Sequence, residues 1–109
     1  MCRAIKVLCV APDVSRLAEL KRAVVAADWE LCPGATDPEG AWSQLDAERP
    51  HVLVTVGDLG RVVAEARDRF PALRIVADRE LPEVDVVVTS LEQLRDVIRS
   101  TPRPPGPVR

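Results

Sequence analysis

The chain has 109 residues, of which 47% are hydrophobic and 29% charged, as expected for one ordinary globular domain. Its formal net charge of −2 gives no positive field that would attract nucleic acid or an anionic membrane surface. Three cysteines without CxxC spacing predict neither a disulfide framework nor a zinc site, and no apolar run approaches the ~20 residues of a membrane span. The first apolar run is also too short for an export signal, so we expect a cytoplasmic protein.

The first half of the chain alternates strand-like and helix-like segments. Residues 5–10 and 29–32 are short apolar runs, which predict buried strands. Asp13 and Asp37 each stand just before a helical pattern, where a carboxylate can cap free backbone amides. The second helix must end before Pro50, because the residue preceding a proline is kept out of the helical conformation. The first helix is expected to run to about residue 27, with four apolar residues facing inward: Val14, Leu17, Leu20 and Val24.

The second half of the chain continues the alternation. Residues 52–56, 73–77 and 84–89 are rich in branched apolar residues and predict three further strands. Asp58 is placed to cap a third helix, and Ser90-Leu91-Glu92-Gln93 has the spacing of a capping box at the start of the last helix. Strands that alternate with helices predict an α/β domain, in which a mainly parallel sheet is covered by helices on both faces.

The predicted domain ends near residue 100. Residues 101–109 contain four of the ten prolines of the chain and can neither continue a helix nor pair into a sheet. We therefore expect one domain over residues 1–100, followed by a flexible proline-rich tail or linker over residues 101–109 that could lead to an output domain.

Three segments in the middle of the chain carry a resemblance to a known family. They are Trp29-Glu30-Leu31, the stretch from Ala35-Thr36-Asp37 to Glu39-Gly40-Ala41, and Arg49-Pro50-His51-Val52-Leu53-Val54. These segments look like the second strand, second helix and third strand of the receiver domain of bacterial response regulators, and the resemblance covers residues 4–100. It implies a flavodoxin-like, three-layer sandwich with a five-stranded sheet in the order 2-1-3-4-5.

The residues that give a receiver its chemistry are replaced. The family holds a divalent cation with an acidic pair after the first strand and phosphorylates an aspartate at the end of the third. It also uses a hydroxyl after the fourth strand and a lysine after the fifth. These positions fall on Ala11-Pro12, Val56, Ala77-Asp78 and Thr89-Ser90. The resemblance therefore implies an aspartate-less pseudo-receiver that needs no metal or cofactor and has no phosphotransfer activity.

The segment between the fourth and fifth strands is unusually short. Only residues 78–83 stand where the family has a loop, a helix and another loop, so the helix is predicted to be shortened or missing. A chain of this length can just run back for a parallel fifth strand, and a hairpin is the alternative. The exposed sheet near Leu81, Val86 and Val88 is then expected to mediate self-association or docking of a protein.

Three functions are compatible with these features. The first is a non-catalytic signalling module that contacts a protein partner or forms a homodimer, without binding nucleic acid itself. The second is a sensor of a small ligand, bound in the crevice at the carboxyl ends of the strands and rimmed by Asp13, Asp58 and Asp78. The third and weakest is a thiol enzyme built on Cys9, whose loop contains Pro12 and lacks a phosphate-binding cradle.

Overall fold

A computed structural model of the chain describes residues 5–24, 29–57, 60–71, 73–81 and 84–99, without the side chain of Leu91. Within these residues, strands and helices alternate except near the carboxyl end, where two strands follow each other. The elements in chain order are β1 (Ile5–Val10), α1 (Val14–Val24), β2 (Trp29–Leu31), α2 (Pro38–Glu48), β3 (Val52–Thr55), α3 (Gly60–Arg69), β4 (Arg74–Ala77), β5 (Val86–Val87) and α4 (Leu91–Arg99).

The five strands form one sheet in the order β2-β1-β3-β4-β5, and every neighbouring pair is parallel. The predicted fold class and strand order are confirmed. The parallel pairing of β4 with β5 decides between the two alternatives for the fifth strand, and the hairpin is wrong. At the centre of the sheet Leu53 of β3 lies opposite Leu8 of β1 and Ile75 of β4, so apolar residues meet in register across three strands.

Two hydrophobic clusters lie on opposite faces of this sheet. The first cluster contains Val7 and Cys9 together with residues of α1 and α4. The second cluster contains Leu8 and Val10 together with residues of α2 and α3. Neighbouring residues of β1 fall in different clusters because successive side chains of a strand point to opposite faces. The sheet is therefore the middle of three layers, with α1 and α4 on one side and α2 and α3 on the other.

Local side-chain interactions fix the ends of the first two helices where the sequence predicts them. The Arg16 N–H donates to Asp13 Oδ1 at 2.8 Å, and the Gly40 N–H donates to Asp37 Oδ1 at 2.6 Å. Arg49 ends α2 in the left-handed conformation, with φ of 50°, and donates its N–H to the Leu45 carbonyl oxygen. Each N-cap residue of this kind stabilises its helix by about 1 kcal/mol, because its side chain satisfies a backbone amide that has no partner within the helix.

The start of the last helix differs slightly from the predicted capping box. Ser90 Oγ accepts from the Gln93 N–H at 3.2 Å, as the pattern predicts. The Gln93 side chain, however, accepts from the N–H of Thr89 at 2.8 Å rather than from the N–H of Ser90. The reciprocal contact therefore extends one residue further back and holds the segment that joins β5 to α4.

One predicted core residue of the first helix is wrong. Val14 is 73% exposed, while Leu17 is half-buried and Leu20 and Val24 are buried. Burial therefore rises along α1, from its exposed first residue to Leu20 and Val24, which both belong to the first cluster. The predicted extension of this helix to residue 27 lies outside the described residues, as does the predicted tail over residues 101–109.

The connection from β4 to β5 contains no helix in the part of the chain that the structure describes, as predicted. Leu81 and Val84 instead pack against the second cluster and cover part of the sheet. Asp85 anchors the returning chain: its Oδ2 atom accepts from the Ile75 N–H at 2.8 Å and pairs with Arg67 of α3. The regular pairing that follows is restricted to Val86–Val87, so β5 is shorter than the predicted strand over residues 84–89.

Candidate functional site

The carboxyl ends of the strands converge at one edge of the sheet, as they must when all strands are parallel. The Val56 N–H donates to the Val10 carbonyl oxygen at 3.0 Å, and the Asp78 N–H donates to the Thr55 carbonyl oxygen at 3.3 Å. The Val88 N–H donates to the Ala77 carbonyl oxygen at 2.9 Å. The segments that follow β1, β3, β4 and β5 are thus held side by side, and the motif positions of a receiver meet here.

Val56 occupies the position that corresponds to the phosphate acceptor. It directly follows β3 and is half-buried, and its side chain packs against the first cluster. An aliphatic side chain has neither a nucleophilic atom nor an oxygen that could ligate a cation. In the structure Val56 is a half-buried apolar residue that packs against the first cluster, at the position where the resemblance leads one to expect an aspartate.

Pro12, at a position where the family resemblance leads one to expect an acidic residue, lies against the loop that follows β3. Gly57 has φ of +93°, and a Cβ atom built on it would lie 3.2 Å from Pro12 Cγ and 3.3 Å from Pro12 Cδ. The proline ring therefore packs directly against the loop that follows β3, and Ala11 beside it is fully buried. No group of three or more His, Cys, Asp or Glu side chains suited to a metal ion occurs among the described residues. The residues present do not fit a divalent cation.

The acidic side chains predicted to rim the crevice have structural partners. Asp13 caps α1 and also lies 3.8 Å from the Arg16 Nε atom. Asp78 Oδ1 accepts from the Gly57 N–H at 3.1 Å and from Arg79 Nε at 3.4 Å. Asp58 lies outside the described residues. Asp13 and Asp78 therefore stabilise the loops at the strand ends, and Asp78 also lines a cavity.

That cavity has a volume of about 270 Å³ and opens at the carboxyl end of the sheet. Its walls are apolar and come from α1, β3 with its following residue, the end of the fifth strand and α4: Leu20, Val54, Val56, Val88 and Leu94. Its polar lining is provided by Thr55, Asp78, Thr89 and Ser90. The positions of the acceptor and of the lysine in a receiver thus line a mainly apolar cavity in this chain. The sequence places these residues near one another, but the cavity depends on how far α4 stands from β3.

Cys9 is unsuited to nucleophilic chemistry. It is 1% exposed and lies in the first cluster, between β1 and the helices that cover it. Burial raises the pKa of the Cys9 thiol from 9.0 to about 12, which leaves it protonated at neutral pH. Burial also raises the pKa of the Cys32 thiol, on the other face of the sheet. Because the thiolate is the reactive form, both side chains behave as small apolar core residues.

The three residues predicted to form one exposed interaction face do not share a face. Val86 is half-buried and Val88 is 5% exposed, and both pack in the first cluster beneath α4. Leu81 is half-buried against the second cluster. Val87 is 37% exposed and, by the alternation of the strand, points to the face that a helix between β4 and β5 would cover. The uncovered apolar position of the fifth strand is therefore Val87, which the sequence analysis did not single out.

Comparisons with known proteins give a likeness of structure only. No protein-family model matches the sequence, and no curated protein matches it either. Among the described residues no helix is long and apolar enough to cross a membrane.

Solved receiver domains, by contrast, superimpose over nearly the whole chain. The signal receiver domain of an HD domain-containing protein from Pseudomonas fluorescens Pf-5 matches with a TM-score of 0.77 and 13% identity, over 91% of this chain and 94% of that one. The response regulator domain of Thermotoga maritima CheB matches with a TM-score of 0.76 and 15% identity, over 91% and 96%. The chemotaxis protein CheY4 of Vibrio cholerae matches with a TM-score of 0.75 and 16% identity, over 92% and 100%. This chain has the fold of a response-regulator receiver domain.

Proposed function

We propose that this chain is a regulatory module of a signalling pathway that works without aspartyl phosphorylation and acts by contacting another protein or a second copy of itself. The receiver fold indicates a signalling module in general. The observation that carries the finer proposal is the replaced acceptor site, where Val56 packs against the core and the Pro12 ring packs against Gly57.

The chemistry of aspartyl phosphorylation requires several groups at once. A carboxylate must attack the phosphorus atom, and a cation must neutralise the charge that accumulates on the phosphoryl oxygens. Here Val56 supplies no nucleophile, and Ala11 and Pro12 supply no hard oxygen ligand. Thr89 and Ser90, at the position of the basic side chain, carry no charge. Restoring one of these groups would leave the others missing, so we expect no phosphorylated state.

Protein contact is supported by the margin of the sheet at β5. This strand is short, lies at the edge, and presents Val87 on the side that lacks a covering helix. A strand of two residues offers few backbone groups for pairing, so the support comes from the exposed apolar side chain of Val87. The two described cysteines, Cys9 and Cys32, are free and buried, which fits a reducing cytoplasm.

The decisive experiment exposes the purified chain to magnesium with acetyl phosphate, and separately to magnesium with beryllofluoride. We expect an unchanged thermal midpoint and no mass increase from a phosphoryl group, for the chain itself and for Val56→Asp. A receiver domain that retains the acidic pair, the aspartate and the lysine serves as the positive control. A raised midpoint or a phosphorylated species in the unaltered chain would contradict the proposal.

The interaction half of the proposal is tested on the same preparation by sedimentation at increasing protein concentration. Val87→Glu is expected to weaken self-association, because it places a charge at the edge of the sheet. Ala64→Glu, at an exposed position of α3, is the matched control and should leave association unchanged. Equal sedimentation of all three proteins as monomers would remove the homodimer from the proposal.

A further inference from the structure

The cavity at the strand ends lies where a receiver holds its phosphoryl group, but it has the opposite character. Its walls include Val54, Val56 and Val88 of the sheet and its ends, and it is closed on the helical side by Leu20 and Leu94. A concave apolar surface of this kind gains free energy when water is replaced by an apolar molecule. The volume of about 270 Å³ exceeds the ~150 Å³ that suffices for one benzene molecule. The space therefore suits a molecule of about two fused rings.

The polar end of the cavity selects for a particular charge. None of its described lining residues is basic, and the Arg79 guanidinium, which pairs with Asp78 Oδ1, does not line the cavity. A phosphate or carboxylate group would therefore meet no counter-charge on the lining itself. Asp78 Oδ1 already accepts from Gly57 and Arg79, while Asp78 Oδ2 accepts no hydrogen bond from the described residues. The Thr89 hydroxyl donates to Gln93 Oε1 and keeps its own lone pairs. A ligand that donates hydrogen bonds, and above all a cationic one, complements this end.

We propose that this cavity binds a small aromatic or alicyclic molecule that carries one amine, with the ring between β3 and α4 and the amine at Asp78. The site goes beyond the proposed protein contacts and uses a different surface. Because its walls belong to β3, the end of β5 and α4 at once, an occupant stabilises the arrangement of these three elements.

The test uses three probes that share one ring system and differ in charge: tryptamine, indole and indole-3-acetate. Each is titrated into the isotopically labelled full chain while amide chemical shifts are recorded. The amides of Val56, Val88 and Leu94 are expected to shift most. Tryptamine should bind about tenfold more tightly than indole-3-acetate, which corresponds to about 1.4 kcal/mol, with indole between them. Absence of any shift at these amides up to millimolar probe would overturn the proposal.

Substitutions distinguish binding inside the cavity from weak binding at the protein surface. Val56→Trp fills the cavity and should weaken tryptamine binding at least tenfold, whereas Val87→Trp at the exposed edge should leave it unchanged. Asp78→Asn keeps an acceptor for Gly57 but removes the charge, and should abolish the preference for tryptamine over indole. If Val56→Trp does not fold, Val56→Phe provides the same test with a smaller ring.

The outcomes also separate this proposal from the previous one. Tryptamine binding that survives both Val56 variants, or that does not depend on Asp78, would refute the site. A response to beryllofluoride would refute phosphorylation-independent signalling, while the order of the three probes would still decide on the cavity.

Discussion

The interior of the sheet and the carboxyl ends of its strands belong to the same elements but differ in how closely their residues follow the receiver family. In the interior Leu8, Leu53 and Ile75 lie side by side, fully buried, and their identities are set by packing alone. At the strand ends, Pro12 and Val56 occupy positions where the receiver family has acidic groups. The chain has the receiver fold at 15% identity to the solved CheB domain, while its strand ends carry none of the acidic and basic residues that the family resemblance leads one to expect there. The fold and the site are therefore specified by separate sets of residues.

Residues at the strand ends make packing contacts and hydrogen bonds with one another. Pro12 contacts the loop at Gly57, and Asp78 accepts from the N–H of the same glycine. Both contacts stabilise a loop that a receiver would hold through its cation. The difference between the two regions can be tested by substitutions that affect one of them at a time.

The largest effect is expected in the interior. Leu53→Ala should lower the free energy of unfolding by about 2–5 kcal/mol, because it deletes a fully buried side chain and leaves a cavity between three strands. Total stabilities of such domains are about 5–15 kcal/mol, so the variant should be close to unfolding. Urea denaturation measures the change.

The matched control for Leu53 is Val14, an apolar residue that is 73% exposed. Val14→Ala should change the stability by no more than about 0.5 kcal/mol. A loss for Leu53→Ala that is no larger than the loss for Val14→Ala would mean that the centre of the sheet is not packed as described.

The second effect concerns the contact between Pro12 and Gly57. Gly57→Ala should cost about 1–3 kcal/mol, because alanine is strained at φ of +93° and its Cβ atom meets the Pro12 ring. Pro12→Ala combined with Gly57→Ala should recover about 0.5 kcal/mol or more of this loss, since the ring is removed and only the backbone strain remains. A double-mutant cycle by urea denaturation measures the coupling.

Gly60→Ala controls for the general effect of adding a methyl group to a glycine of this loop region. Among the described residues a Cβ atom there meets Leu81 Cδ2 alone, at 3.7 Å, and Gly60 is the first residue of α3. The variant should be neutral or more stable. Additive effects of the Pro12 and Gly57 substitutions would show that the proline ring does not pack against the glycine.

Most of the fold could be predicted from residue patterns because those patterns are local. Alternating apolar runs and turn residues gave the five strands, and Asp13 and Asp37 gave the starts of two helices through hydrogen bonds three residues away. The strand order followed from the family resemblance, since no spacing rule specifies it. The replaced motif positions, such as Val56, were visible directly in the sequence.

The remaining features depend on contacts between distant residues. Pro12 and Gly57 are 45 positions apart, and nothing in either segment indicates that the ring fits against the glycine. Val88 was expected at an exposed face because the segment before β5 is too short for a helix. The sequence does not show which face of β5 is covered by α4, and Val88 lies on that covered face. The exposure of Val14 has the same origin, because helical spacing does not show which turns of a helix are covered.

The smallest effect concerns Cys9, a reactive side chain that the interior has made inert. Burial holds the pKa of its thiol at about 12 in the folded chain, against 9.0 when exposed. The folded state therefore favours the neutral thiol, and the resulting stability is complete below pH 9 and is lost as pH rises toward 12. At pH 10 the unaltered chain should have lost about 1.4 kcal/mol that Cys9→Ala does not lose. Urea denaturation of both proteins between pH 8 and about 10.5 gives the difference, with Cys32 present in each. A difference independent of pH would mean that Cys9 titrates like an exposed thiol. Cys9 would then not be a buried core residue, and its thiol would again be a candidate for chemistry.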